Sequence, residues 1–143
     1  MTEAAEFSLD LRVYIEDTDA GGIVYYVNYL KYMERARTEY MRALGFGKDY
    51  IFNHDLMFVV RDAAVHYRSP AQLDDELQAT VSIGQLRGAS MVMHQSVRRG
   101  DEVLAEATIT IACVDRAGVK PRRIPADMVS RLSEGPGPTA NNE

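Results

Sequence analysis

From Phe7 to Ile15 every second residue is apolar: Phe7, Leu9, Leu11, Val13 and Ile15. A period of two over that length predicts a strand across residues 7–16 with one face buried. The spacing then changes. Tyr29, Met33, Ala36, Tyr40 and Leu44 recur at intervals of three or four, the apolar stripe of an amphipathic helix from about Tyr25 to Leu44. Gly45 and Gly47 supply its stop. Such a helix is roughly 30 Å long, enough to cross a small domain.

Strand patterns return at Met57. MFVVRDAAVHYRSP ends at Pro70, DDELQATVSIGQLR runs to a turn near Gly88, and ASMVMHQSVRR reaches the two-residue hairpin signal Gly100-Asp101. EVLAEATITIACVD alternates through Val103, Ala105, Ala107, Ile109 and Ile111. Consecutive long strands joined by tight turns make an antiparallel meander. After Pro125 the stretch ADMVSRL predicts a short helix, and SEGPGPTANNE, with no periodicity and prolines among glycines, a disordered tail over 133–143. One strand, one long helix and a meander define a single α+β domain over residues 1–132, its antiparallel sheet wrapped around the helix. One helix covers one face of such a sheet and leaves an edge open, so a homo-oligomer, dimer or tetramer, is expected.

Composition narrows the class. The 143 residues are 46% hydrophobic and 26% charged, as in a globular protein, and no apolar run approaches the roughly 20 residues of a membrane span. The start, MTEAAEFSLD, is acidic and unlike a secretion signal, and the single Cys113 suits a reducing compartment, so a cytoplasmic address follows by elimination. A net charge of −5 argues against nucleic-acid binding as the main business. It leaves room for a local basic patch from Arg87, Lys120, Arg122 and Arg123, which could hold phosphates or could equally be charges that protect a sheet edge.

The chemistry concentrates in EDTDAGGIVYYVNYLKYMERAR, Glu16 to Arg37. Asp17 and Asp19 precede a diglycine and the start of the helix. An ordinary aspartate is ionised at neutral pH and serves as a nucleophile toward an activated acyl carbon or as a weak base toward water. Free N–H groups from Gly22 to Tyr26, at the positive end of a helix, can accept a developing oxyanion. Acyl transfer needs both parts together. The same aspartates could instead merely cap the helix and shape a turn. Tyr25, Tyr26, Tyr29 and Tyr32 line a pocket or simply pack. His54, His66 and His94 show no metal-ligand spacing, Cys113 sits in an apolar run, and neither a P-loop nor a serine elbow is present. No metal or cofactor is expected.

That segment resembles the signature of hotdog-fold acyl-CoA thioesterases of the 4-hydroxybenzoyl-CoA thioesterase type, and is most similar to the Tol-Pal-associated branch. The similarity continues through FVVRDAAVHYRSPAQLDDEL, LRGAS and ACVD…KPRRIP, from about Leu9 to Leu132. The resemblance implies an antiparallel sheet around one long central helix, with active sites at a dimer interface. It implies that Asp19, the second aspartate of the pair, is catalytic, that the Tyr26 N–H polarises the thioester carbonyl, and that Arg87 holds coenzyme A phosphates. Gly22 in the same turn, with Lys120 and Arg122, completes the expected substrate contacts. Gly88 and Ala89 stand where the 4-hydroxybenzoyl enzyme has two further basic residues, and tyrosine stands at 26 where the Tol-Pal branch usually carries histidine. The expected substrate is an acyl-CoA, with acyl carrier protein a further possibility. A non-catalytic hotdog module binding the same ligands is the alternative. A hotdog dehydratase would want a histidine paired with an acid, and the segment holds none.

Overall fold

The computed structural model describes residues 6–134. Its elements follow the order β1 (Phe7–Arg12), α1 (Asn28–Ala43), α2 (Lys48–Asn53), β2 (Leu56–Tyr67), β3 (Glu76–Arg87), β4 (Ser90–Arg99), β5 (Glu102–Asp115) and α3 (Ala126–Ser133). The five strands form one antiparallel sheet in the order β1-β3-β4-β5-β2. The expected meander is β3-β4-β5, turning at Gly88 and Gly100 where φ is positive. β1 and β2 are the edges. The predicted short helix is α3, which runs to Ser133, the first residue of the expected tail; residues 135–143 of that tail lie outside the described residues.

The helical stripe packs as its spacing requires. Tyr29, Met33, Ala36, Tyr40 and Leu44 are all buried, and α1 lies against β1, β3 and β4. Opposite them stand the inward residues Leu77, Ala79 and Val81 of β3 and Val97 of β4, with the Phe7 ring 5.6 Å from that of Tyr40. Each of the larger apolar side chains, such as Phe7, Met33, Leu77 and Val97, contributes roughly 1.5–3 kcal/mol by leaving water. Gly45, at φ +95, ends the helix in the left-handed conformation, and the Phe46 N–H returns to the Met41 carbonyl at 2.8 Å.

Two boundaries differ from the sequence expectation. The first strand stops at Arg12, and Ile15, expected on the buried face, is 75% exposed. The reason is a pair of bonds to the β2–β3 connection, Val13 N–H to the Asp75 carbonyl and Asp74 N–H to the Val13 carbonyl, after which Ile15–Asp17 close a 3₁₀ turn. The helix begins at Asn28 rather than Tyr25. The Tyr25, Tyr26 and Val27 carbonyls accept from Asn28, Tyr29 and Leu30, three residues on, so the chain enters the helix through tighter turns. The amides of Val24 and Tyr25 go to the carbonyls of Ala71 and Asp17.

Candidate active site

The loop between β1 and α1 is folded onto itself by the carboxylate and carbonyl of Asp17. This side chain is buried, and its Oδ2 accepts the Tyr14 N–H at 2.9 Å. Its carbonyl accepts both the Tyr25 N–H, at 3.0 Å, and the Asn28 Nδ2–H, at 2.8 Å. The first aspartate of the pair is therefore a hub that pins the loop to the helix start. The Tyr32 hydroxyl is buried beside it without meeting hydrogen-bond geometry; burial first, and the Asp17 charge second, push this phenol well above its ordinary range.

Asp19 lies two residues further along and is exposed. It opens a tight turn: its N–H donates to the Ile23 carbonyl at 2.9 Å, its carbonyl accepts the Gly22 N–H at 3.0 Å, and its Oδ1 accepts the Gly21 N–H at 2.8 Å. Gly22 holds φ at +83°, a conformation that side chains resist. The free amides expected from Gly22 to Tyr26 are fewer than supposed, since Gly22 and Tyr25 donate within the loop and Val24 donates to the Ala71 carbonyl after β2. The Tyr26 N–H, by contrast, has no acceptor among the described residues. It precedes the helix start by two residues, where the positive end of the helix favours negative charge. The Tyr26 side chain is 58% exposed and meets the ring of Tyr67 edge-on at 5.8 Å. Tyr29 and Tyr32 are core; the Tyr29 hydroxyl accepts the Ala71 N–H at 2.9 Å and so ties the helix to the loop after β2.

The basic residues divide. Arg87 lines a pocket of about 300 Å³ with Leu86, Gly88, Arg123, Ile124 and Val129. No carboxylate pairs with Arg87 or Arg123 among the described residues. Arg122 is committed elsewhere: its guanidinium donates to the His54 carbonyl and stands 3.7 Å from Asp115 Oδ1. Lys120 is exposed and meets the fold through its own carbonyl, which takes the Asp115 N–H at 2.8 Å. Arg123, beside Gly88, is thus the second cation next to Arg87. Sequence alone marked it only as one of four basic residues. Asp19 lines neither this pocket nor the larger cleft beside α2.

Of the histidines, His54 stacks on Tyr50 at 3.9 Å, while His66 and His94 are exposed on β2 and β4. Cys113 is buried in β5, and burial raises its thiol. Among the described residues no three His, Cys, Asp or Glu side chains come together as metal ligands.

Residues 13–132 match the family described as the thioesterase-like superfamily. The chain belongs to that superfamily. Among its relatives are the acyl-CoA thioesterase YbgC of Haemophilus influenzae, 42% identical over 123 residues that cover 85% of this chain and 90% of the relative. The acyl-CoA thioester hydrolase YbgC of Escherichia coli O6:H1 is 40% identical over 129 residues, covering 90% and 96%. A solved structure of a probable thioesterase from Bartonella henselae superposes with a TM-score of 0.81 at 36% identity, covering 85% of this chain and all of the other. The α+β hotdog architecture expected from the sequence is the architecture of this superfamily member, and the loop from Asp17 to Asn28 is where its helix takes hold of the sheet.

Proposed function

We infer that this member of the thioesterase superfamily hydrolyses acyl-CoA thioesters to the free acid and coenzyme A, with Asp19 as nucleophile or general base and the Tyr26 N–H as oxyanion donor. The observation that carries the reading is the unsatisfied Tyr26 amide beside the Asp19 turn. The first amides of a helix have no acceptor within it, and one left free there is poised for a negatively charged oxygen. In the reaction the carboxylate attacks the thioester carbon to give a mixed anhydride that water then cleaves, or deprotonates a water that attacks directly. The carbonyl oxygen gains charge against Tyr26, the C–S bond breaks, coenzyme A leaves as a thiolate that takes up a proton, and the acid is released. Asp17 and Asn28 hold the two halves in register. Gly22 gives the turn its positive φ, which sets where the Asp19 carboxylate can reach.

The unpaired cations Arg87 and Arg123 over the apolar floor of Leu86, Ile124 and Val129 support a nucleotide end on this face, with Lys120 and Arg122 in outer roles. Acyl carrier protein would be a second source of thioester. A second copy of the chain completes the site in this reading. Tyr25, Tyr26, Val27, Leu30, Val60 and Tyr67 are exposed together with the open edge of β2, an apolar surface that a homodimer or homotetramer covers. A cytoplasmic location is supported by the lone buried thiol; no helix among the described residues is long and apolar enough to cross a membrane.

The test is Asp19→Asn assayed by thiol release over short, long and aromatic acyl-CoAs. A positioned base or nucleophile is worth about 10²–10⁴ in rate, so kcat falls by at least about 100-fold with the assembly state unchanged. One observation favours a second reading, a module that binds acyl-CoA without hydrolysing it: the Asp19 Oδ1 is already occupied by the Gly21 amide, outside both cavities. Wild-type protein that binds acyl-CoA and releases thiol from none would establish that reading instead.

A further inference from the structure

A cleft of about 470 Å³ lies between α1, α2 and the inner faces of β2, β4 and β5. It exists because α1 covers β1, β3 and β4 and leaves the β5–β2 side of the sheet open. Its walls are apolar, chiefly Met41, Phe58, Met91, Met93 and Ile111. One cation is built into them. Arg37 is half-buried, and its Nη1 donates to Gln95 Oε1 at 2.8 Å.

Gln95 is the unusual residue. It occupies an inward position of β4, between Met93 and Val97, and is 3% exposed. A buried amide in such a row costs stability unless every polar atom is satisfied. Here it is: Nε2 donates to the Met33 carbonyl at 3.0 Å and to the Thr80 carbonyl at 3.3 Å, leaving Oε1 for Arg37. The amide is therefore locked in one orientation, and among the described residues the only side chain it hydrogen-bonds is that guanidinium.

Arg37 has four further N–H donors, and no carboxylate lies within ion-pair distance among the described residues. The charged groups facing it along the cleft are Glu34, Arg42 and Lys48. Arg42 is paired with Glu39, so the free charges are Arg37 and Lys48 against Glu34. Burial works against the Arg37 charge and Glu34 supports it, and a guanidinium stays ionised regardless. A fixed, partly dehydrated cation set in an apolar wall favours an anion that brings its own apolar body.

We propose that this cleft binds a medium-chain fatty-acid anion, its carboxylate on Arg37 and its alkyl chain along Met91, Met93, Phe58 and Ile111. The cleft is within the roughly 300–1,000 Å³ range of small-molecule sites. The inference rests on the thioesterase reading only for the source of the ligand, since hydrolysis releases such an acid. Binding itself does not depend on Asp19.

Calorimetric titration of the full chain with octanoate and with octan-1-ol separates charge recognition from simple burial of a chain. Charge-assisted hydrogen bonds to a fixed guanidinium predict octanoate binding at least about 10-fold tighter than octanol. Arg37→Met reduces the ratio to about two-fold or less while octanol binding is retained. Gln95→Met, which keeps the cation but removes its anchor, lowers the ratio between those limits and serves if the first variant fails to fold. Asp19→Asn keeps full octanoate binding, so loss of hydrolysis and loss of this site are read separately. Equal affinity for the two ligands in wild type, an unchanged ratio in both variants, or no octanoate binding by a dimer whose second copy covers the cleft would each overturn the proposal.

Discussion

Two adjacent glycines in the Asp19 turn respond to the same added methyl in different ways. At Gly22 an alanine Cβ meets nothing within 4 Å, so space costs nothing, but φ is +83°. Left-handed backbone costs an L-residue about 1–2 kcal/mol, and the stiffer unfolded chain returns about 0.4–1 kcal/mol. Gly22→Ala therefore destabilises by about 1 kcal/mol, or about 3 °C in Tm for a chain of this length. At Gly21 the backbone is outside the left-handed region, but the new Cβ would stand 3.3 Å from Asp19 Oδ1. The carboxylate is exposed and can give way by a few tenths of an ångström, so stability changes by less than about 0.5 kcal/mol. Activity does not escape, because small displacements of a reacting group are costly, and about 10-fold in kcat is expected. Urea or thermal unfolding and thiol release on both variants check the pair. Gly22→Ala with wild-type stability would refute the turn geometry. Gly21→Ala with wild-type kcat would refute a role for the Asp19 carboxylate at its observed position.

Further outcomes follow from the same contacts. The Tyr40 hydroxyl is buried without a partner among the described residues, so Tyr40→Phe is neutral or stabilising by up to about 1 kcal/mol in urea unfolding, and a clear loss would mean an acceptor is present. Burial pushes Tyr40 up to about 12, and burial with the Asp127 hydrogen bond does the same to Tyr50. Both phenols are neutral when folded stability is full, below the ordinary tyrosine value near 10. Stability therefore falls as pH rises from about 10 to about 12, and the double phenylalanine variant flattens that slope. Arg87→Ala and Arg123→Ala each raise KM for acyl-CoA about 10-fold with kcat nearly constant, and raising salt mimics part of the effect. Burial tends to raise Asp75, but the Gln72 amide and Arg99 outweigh it and hold the carboxyl low, so its contribution is present above the ordinary carboxylate range and is lost as pH falls through it. Arg99→Met removes about 1 kcal/mol at neutral pH, measured by unfolding.

Much of this protein was legible without coordinates. The spacing of Tyr29, Met33, Ala36, Tyr40 and Leu44 specified the buried helix face, because a 3.6-residue period has one structural solution over that length. Alternation specified β5, strand-like runs between turn signals specified β3 and β4, and Gly88 and Gly100-Asp101 marked their turns. The segment from Asp17 to Tyr26 announced the candidate chemistry, since a carboxylate, a diglycine and a helix start are local features. What tertiary structure alone decided depends on partners distant in sequence. Ile15 leaves the strand because Val13 bonds to Asp75, and the chain just before α1 is tied to the carbonyls of Ala71 and Asp17. Arg123 stands with Arg87 while Arg122 turns to His54, a choice made by how the chain after β5 crosses the β3–β4 turn, where the Ile124 N–H meets the Gly88 carbonyl. A polar Gln95 in an apolar row has no meaning until Met33, Thr80 and Arg37 surround it. Periodicity is written between neighbours in the chain, whereas satisfaction of buried polar groups is settled only where separate elements meet.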